Sequence, residues 1–138
     1  MTADRIFLDA NILFSLAWGS PGLGLLRKWS EKGKGLLFAS EYAIEEARRN
    51  LIDQEQIQRQ ESFLTHVQIA PEVDPHIPCP IDLPDKDRPV FMAAISIQAN
   101  YFLTGDITHF GEYFGKTVAG VKILHPRGYF FPRQGQKE

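Results

Sequence analysis

The sequence predicts an α/β fold: a single compact domain with a central, mostly parallel sheet flanked by helices in three layers, α/β/α. Three observations carry that expectation. Short apolar runs, RIFLD at 5–9, GLLFA at 35–39 and YFLTG at 101–105, are each followed by a stretch with helical spacing. Strands that alternate with helices become parallel neighbours, because the intervening helix supplies the crossover. The length of 138 residues suits one domain that buries roughly two-thirds of its unfolded surface without any staple.

Arg5–Asp9 reads as a buried strand and Ala10–Trp18 as a helix, stopped by the breaker Gly19–Ser20–Pro21–Gly22. A second helix, Leu23–Glu31, closes at Gly33. Gly35–Ala39 is the next strand, and Ser40 stands where an N-cap is wanted for the helix EYAIEEARRNL. Helical spacing returns from Gln54 to Thr65 through Ile57, Phe63 and Leu64, and Val67–Ala70 follows as a strand candidate. Residues 71–84 hold five of the nine prolines, which predicts an extended connection within the domain. A helix starts near Asp87, tolerates Pro89 in its first turn, and continues through VFMAAISIQA. Tyr101–Gly105 is a strand, Ile107–Phe114 a short helix and Val121–His125 the last strand. The domain is expected to span residues 1–126, with 127–138 as a polar C-terminal tail that frays.

A hydrophobic fraction of 43% with 23% charged residues excludes a disordered or membrane-embedded chain. No apolar run approaches the roughly 18 residues of a membrane span. MTADRIFLD opens on charges rather than on the core of a signal peptide, so the expected setting is cytoplasmic, with no membrane partner. Cys79 stands alone, which excludes an internal disulfide and argues against a zinc site. The net charge of −2, from 15 Lys and Arg against 17 Asp and Glu, argues at first against nucleic acid. With four acids set aside as neutralised by divalent metal, 13 remain against 15 cations, a balance of +2.

Open parallel sheets bind ligands at the carboxyl ends of their strands. Asp9 closes the first strand, Asp106 closes YFLTG, and Asp87 opens the helix that leads back into that strand. Glu46 lies on the helix after the second strand. With Ala43, Ile44, Ala47 and Leu51 marking the buried face, Glu46 falls on its flank, whereas Glu45 points away and is placed to pair with Arg49. Asp82 and Asp85 are close to Asp87 in sequence, so the third acid is either Asp87 or Asp85. Carboxylates gathered in a partly dry pocket repel one another unless cations sit between them. Oxygen donors without a Cys/His set favour Mg²⁺ or Mn²⁺. Such sites suit phosphoryl chemistry, in which the metal activates water and stabilises charge on the leaving oxygen.

FLDANIL, SEYAIEEARRNL, DKDRPVFMAA, YFLTGDITHF and KILHPRGYF, in that order and across nearly the whole chain, resemble a PIN domain, the nuclease fold of VapC-type toxins and RNA-processing enzymes. The resemblance implies a PIN-like α/β/α domain and a metal-dependent endoribonuclease that hydrolyses RNA phosphodiester bonds by metal-activated water. It implies Asp9, Glu46, Asp87 and Asp106 as the catalytic, metal-binding acids, with Asn11 and Thr104 as polar supports. It also implies a toxin–antitoxin setting, in which an antitoxin protein covers the acidic site; apolar helices near the N-terminus are compatible with a homodimer. Two departures stand out. Ala10 occupies a position where relatives often carry Thr or Ser, which removes a hydroxyl. Ile107, Thr108 and His109 follow Asp106 where many relatives have a further Asp, leaving His109 to take its place in holding phosphate or metal-bound water.

Taken singly, each acid has a plainer reading. Asp9, Asp87 and Asp106 are all placed to cap helices, and Glu46 to be solvated. Arg27, Lys28, Lys32 and Lys34 form either a basic ridge for an RNA backbone or ordinary solvated surface. Trp18, Trp29, Tyr42 and Phe14 suit core or subunit contacts better than base stacking, and His66, His76 and His125 have no ligand spacing. The alternative function is a non-catalytic RNA-binding or protein-interaction module that keeps the fold with an incomplete site. A dehalogenase-like nucleophile is disfavoured, because Asn11 stands where that chemistry wants a second Asp.

Overall fold

The computed structural model describes residues 3–132. β1 (Asp4–Leu8) has strands on both sides: β2 (Gly35–Ser40) and β3 (Val67–Ala70) on one, and β4 (Tyr101–Leu103), β6 (Val121–Leu124) and β5 (Thr117–Val118) on the other. The order is β3-β2-β1-β4-β6-β5, and every pairing is parallel except β5 with β6. The chain therefore builds outward from β1 through β2 to β3, then crosses back to lay β4 against the opposite side of β1. That reversal between β1 and β4 is a topological switch point, where the carboxyl ends of neighbouring strands open a crevice.

Seven helices surround the sheet among the described residues: α1 (Ala10–Ala17), α2 (Gly24–Glu31), α3 (Glu41–Arg49), α4 (Gln54–Leu64), α5 (Arg88–Ser96), α6 (Ile107–Phe110) and α7 (Pro126–Phe130). The result is the three-layer α/β/α arrangement expected from the alternation. Ser40 caps α3 as anticipated, its Oγ accepting from Ala43 N at 3.1 Å. α4 starts at a reciprocal cap, in which Asp53 accepts from the Gln56 amide and the Gln56 side chain accepts from Asp53 N.

Four phenylalanines decide where the ends of α5 and α6 sit. Phe7 and Phe102 stack across β1 and β4, with ring centroids 5.9 Å apart. Phe91 of α5 and Phe110 of α6 meet Phe102 at 5.2 and 5.1 Å. All four are fully buried, and a buried Phe contributes roughly 1.5–3 kcal/mol relative to an exposed one. α6 is a single turn with no independent stability. It holds its place because Phe110 is anchored in this cluster.

Two differences from the sequence reading involve the C-terminal third. β5 was not anticipated; it pairs with β6 through a two-residue turn at Ala119 (φ 50°) and Gly120 (φ 87°). Positive φ at both central residues marks the tight hairpin turn usually signalled by Asn-Gly, and Ala in the first position conceals it. Residues 127–130, expected to begin a frayed tail, instead belong to α7. The Tyr129 hydroxyl donates to Asp4 Oδ2 at 2.6 Å and accepts from Trp29 Nε1 at 2.9 Å, and its ring lies edge-on to those of Tyr101 and Phe130. The polar composition of 127–138 obscured this aromatic anchor. The rest of the expected tail, from 133 onward, lies outside the described residues.

Candidate functional site

Parallel pairing of β1 with β4 places Leu8 opposite Leu103, so the next residues, Asp9 and Thr104, emerge side by side at the carboxyl edge. Both are buried. Asp9 Oδ1 accepts from Ala10 N at 2.8 Å, which is the helix-capping role, while Oδ2 accepts from Thr104 Oγ1 at 2.8 Å and Asn11 Nδ2 at 3.0 Å. Asn11 extends the net: its Nδ2 also donates to Thr104 Oγ1 at 3.1 Å, and its Oδ1 accepts from Gly105 N at 2.7 Å. Thr104 Oγ1 accepts in turn from Asp106 N at 3.1 Å. One hydrogen bond donated and two accepted use the full capacity of the threonine hydroxyl. The carboxylate of Asp9 is thus fixed in direction by three donors, and the supports expected at Asn11 and Thr104 are the residues that fix it.

Asp9, Glu46, Asp87 and Asp106 line one cleft of about 810 Å³. They arrive from four separate segments: the ends of β1 and β4, the flank of α3 and the start of α5. Asp85 faces elsewhere. It is almost fully exposed, pairs with Arg88 at 3.3 Å and borders a different hollow, so the acid at the start of α5 that reaches the cleft is Asp87. Asp87 sits at the N-cap position of α5 yet makes no capping hydrogen bond. Its Oδ2 is buried without a hydrogen-bond partner; the 3.4 Å approach of His109 Nδ1 lacks hydrogen-bond geometry. An unpaired buried carboxylate oxygen costs free energy, and here capping does not account for it.

His109 meets Asp106 more closely. Its Nδ1 lies 2.7 Å from Asp106 Oδ2, and its backbone N donates to Asp106 Oδ1 at 3.1 Å. Ligand atoms of Asp87, Asp106 and His109 all lie within 4.8 Å of one another, the tightest grouping of such side chains among the described residues. Asp9 and Glu46 border the same cleft outside that group. All four acids therefore line one cleft, and two of them, Asp87 and Asp106, are grouped more tightly with the imidazole of His109.

The electrostatics follow from this packing. Burial pushes the Asp9 carboxyl up to about 6 from its ordinary 3.8, the hydrogen bonds from Thr104 and Ala10 pull the other way, and the charges of Asp87 and Glu46 add to the rise. Asp87 is raised as well, by burial first and then by the neighbouring charge of Asp106. For Asp106, burial alone would raise the carboxyl, but the side-chain and backbone hydrogen bonds of His109, with its charge, outweigh burial and hold it low. Burial is the first cause of the rise at both Asp9 and Asp87, neighbouring carboxylates add to it, and a cation between them would relieve that repulsion. The donor set fits a divalent cation: two carboxylates and one ring nitrogen within 4.8 Å of one another, with Asp87 Oδ2 left without a hydrogen-bond partner.

No protein-family profile matches the chain, and no curated protein matches it.

Three residues of the cleft escaped the sequence reading. Gly105 lies so close to Asn11 that a Cβ there would stand 3.3 Å from Asn11 Oδ1; the only signal was its position between Thr104 and Asp106. Lys86 and Arg127, both exposed, place cations at the rim, beside His125 and the rings of Phe14, Phe130 and Phe131. Conversely, Arg48 is engaged by Glu61 at 2.9 Å and Glu45 at 3.9 Å, so Glu45 pairs with Arg48 rather than Arg49. Arg27 pairs with Glu31, and Lys34 lies over the Trp29 ring before β2, at the opposite edge of the sheet from the cleft.

Proposed function

We propose that this chain is a divalent-metal-dependent endoribonuclease that hydrolyses RNA phosphodiester bonds, the activity its resemblance to PIN domains suggests. One observation carries the reading: four acids from separate segments line a single cleft at the β1–β4 switch point, and one of them, Asp87, leaves a buried oxygen unpaired. Asp87 and Asp106 are the residues that would hold the cation, with Asp9 and Glu46 beside them. When bound, the cation supplies Lewis acidity to the attacking water and to the leaving oxygen.

The chain's own groups do the rest. Thr104, Asn11 and the Ala10 amide hold the Asp9 carboxylate in one orientation, so no rearrangement is needed when substrate arrives. Lys86 and Arg127 at the rim are placed to take the phosphates flanking the scissile bond, contacts that set position and affinity rather than sequence. Phe14 and Phe130 give the cleft an apolar wall that limits water. Among the described residues no helix is long and apolar enough to cross a membrane. The setting we infer is cytoplasmic, with a protein antitoxin as the partner that would occlude the acidic cleft.

The non-catalytic binding module has one observation in its favour: His109 Nδ1 already engages Asp106 Oδ2 at 2.7 Å within the chain. Incubating a mixed RNA pool with the purified protein in Mn²⁺, Mg²⁺ or EDTA, with Asp9→Asn alongside, separates the two. The nuclease cuts only with metal and only as wild type. RNA retained equally with and without metal, and never cut, would favour the module.

A further inference from the structure

We propose that His109 is itself a metal ligand, which makes the cleft a mixed nitrogen–oxygen site that prefers a first-row transition dication such as Mn²⁺ over Mg²⁺. The inference rests on the metal-site reading above and goes further, since the four acids alone form an oxygen-only site with no such preference.

Two ligands bound cis at roughly 2.1 Å on an octahedral ion lie about 3 Å apart. His109 Nδ1 stands 2.7 Å from Asp106 Oδ2 and 3.4 Å from Asp87 Oδ2, distances that bracket this value. A purely structural histidine would be expected to satisfy one carboxylate; here the same ring nitrogen faces two carboxylate oxygens, one of which has no hydrogen-bond partner at all. Asp87 is more than nine-tenths buried, which withdraws that oxygen from bulk solvent. The proton that Nδ1 shares with Asp106 is the one a cation would displace, as ligating imidazoles must give up the proton on the ligating nitrogen.

Selectivity follows from donor chemistry. Mg²⁺ demands oxygen ligands and dehydrates reluctantly, whereas imidazole nitrogen suits the transition dications, whose affinity for such sites rises along the series that starts at Mn²⁺. The sequence contains four histidines. His125 lines the cleft with Asp87 and Asp106 but spends its Nδ1 accepting from Arg127 N at 3.1 Å. It therefore serves as the control.

The test is metal binding by the full chain without RNA: calorimetric titration with Mn²⁺ and with Mg²⁺, plus pulsed electron paramagnetic resonance of the Mn²⁺ complex, in which a directly bound nitrogen modulates the spin echo. Wild type should show nitrogen modulation that His109→Gln removes and His125→Gln keeps. His109→Gln should weaken Mn²⁺ at least about tenfold while leaving Mg²⁺ within a few-fold. His109→Asp should restore Mn²⁺ binding without the nitrogen signal and narrow the Mn²⁺-to-Mg²⁺ ratio. Mn²⁺ bound to wild type with no nitrogen modulation would overturn the ligand assignment and leave the acid site standing, with His109 a counter-ion only. Failure of wild type to bind any divalent ion would overturn both.

Discussion

Thr104 Oγ1 donates to Asp9 Oδ2 at 2.8 Å, joining residues 95 positions apart in sequence. The β1–β4 register makes the contact unavoidable, because the two residues follow the paired Leu8 and Leu103. The same hydroxyl accepts from Asn11 and from the Asp106 backbone, so it ties two of the acid-bearing segments together. Thr104→Val keeps the shape and removes all three hydrogen bonds in a fully buried position. We expect it to cost about 1–3 kcal/mol in urea unfolding and to lower cleavage more than Thr104→Ser, which restores the hydroxyl.

Stability of the metal-free protein should fall as pH rises. Asp9 has its carboxyl raised from 3.8 to about 6, so its contribution is fully present below the unfolded value and is lost as pH climbs through the folded one. Asp87, raised by burial and by Asp106, acts in the same direction. Asp106, held low, acts oppositely, but its contribution is lost only below the ordinary carboxylate range. Between about pH 4 and 7 the upward-shifted acids therefore dominate. For Asp9 alone, roughly two pH units at about 1.4 kcal/mol each give about 3 kcal/mol. Unfolding in EDTA across that range measures it, and added Mn²⁺ should flatten the slope.

Asp87→Asn removes a buried unpaired charge and supplies an amide that can donate to Asp106. The metal-free variant should be stabilised by on the order of 1 kcal/mol, the low end of the penalty for an unsatisfied buried group. The thermal shift given by Mn²⁺ should vanish at the same time. For wild type, metal at about one hundred times its dissociation constant adds about 2.7 kcal/mol. Differential scanning calorimetry with and without Mn²⁺ reads both effects.

Lys86→Ala and Arg127→Ala should each weaken RNA binding without altering the fold, since both side chains are exposed at the rim. Taking away one cation that meets a phosphate should lower the slope of log affinity against log salt by about 0.7–1. Lys34→Ala, at the far edge of the sheet, should leave the slope unchanged.

Much of the architecture was legible because local signals agreed with the fold. Ser40 was a cap in sequence and is one in structure, Pro89 opens α5 as its fixed φ allows, and each apolar run became a strand of the parallel sheet. The hidden parts depend on partners distant in sequence. α7 reads as polar until Tyr129 meets Trp29 and Asp4, residues 100 and 125 positions upstream. The hairpin turn is hidden because Ala119 occupies a position that glycine or asparagine normally advertises. At the site, the four acids could be placed at one edge by strand ends and helix phase, but the burial of Asp87, its missing partner and the approach of His109 are three-dimensional facts. They group two of the four acids with a histidine.

The central claim, that the cleft performs metal-dependent hydrolysis of RNA, is tested most directly by the fate of water. RNA cleaved in isotopically labelled water with Mn²⁺ should carry one labelled oxygen in the new terminal phosphate, and Asp87→Asn should give neither cleavage nor label. A cyclic phosphate terminus, formed by the RNA's own 2′-hydroxyl, or cleavage that persists in EDTA, would contradict it.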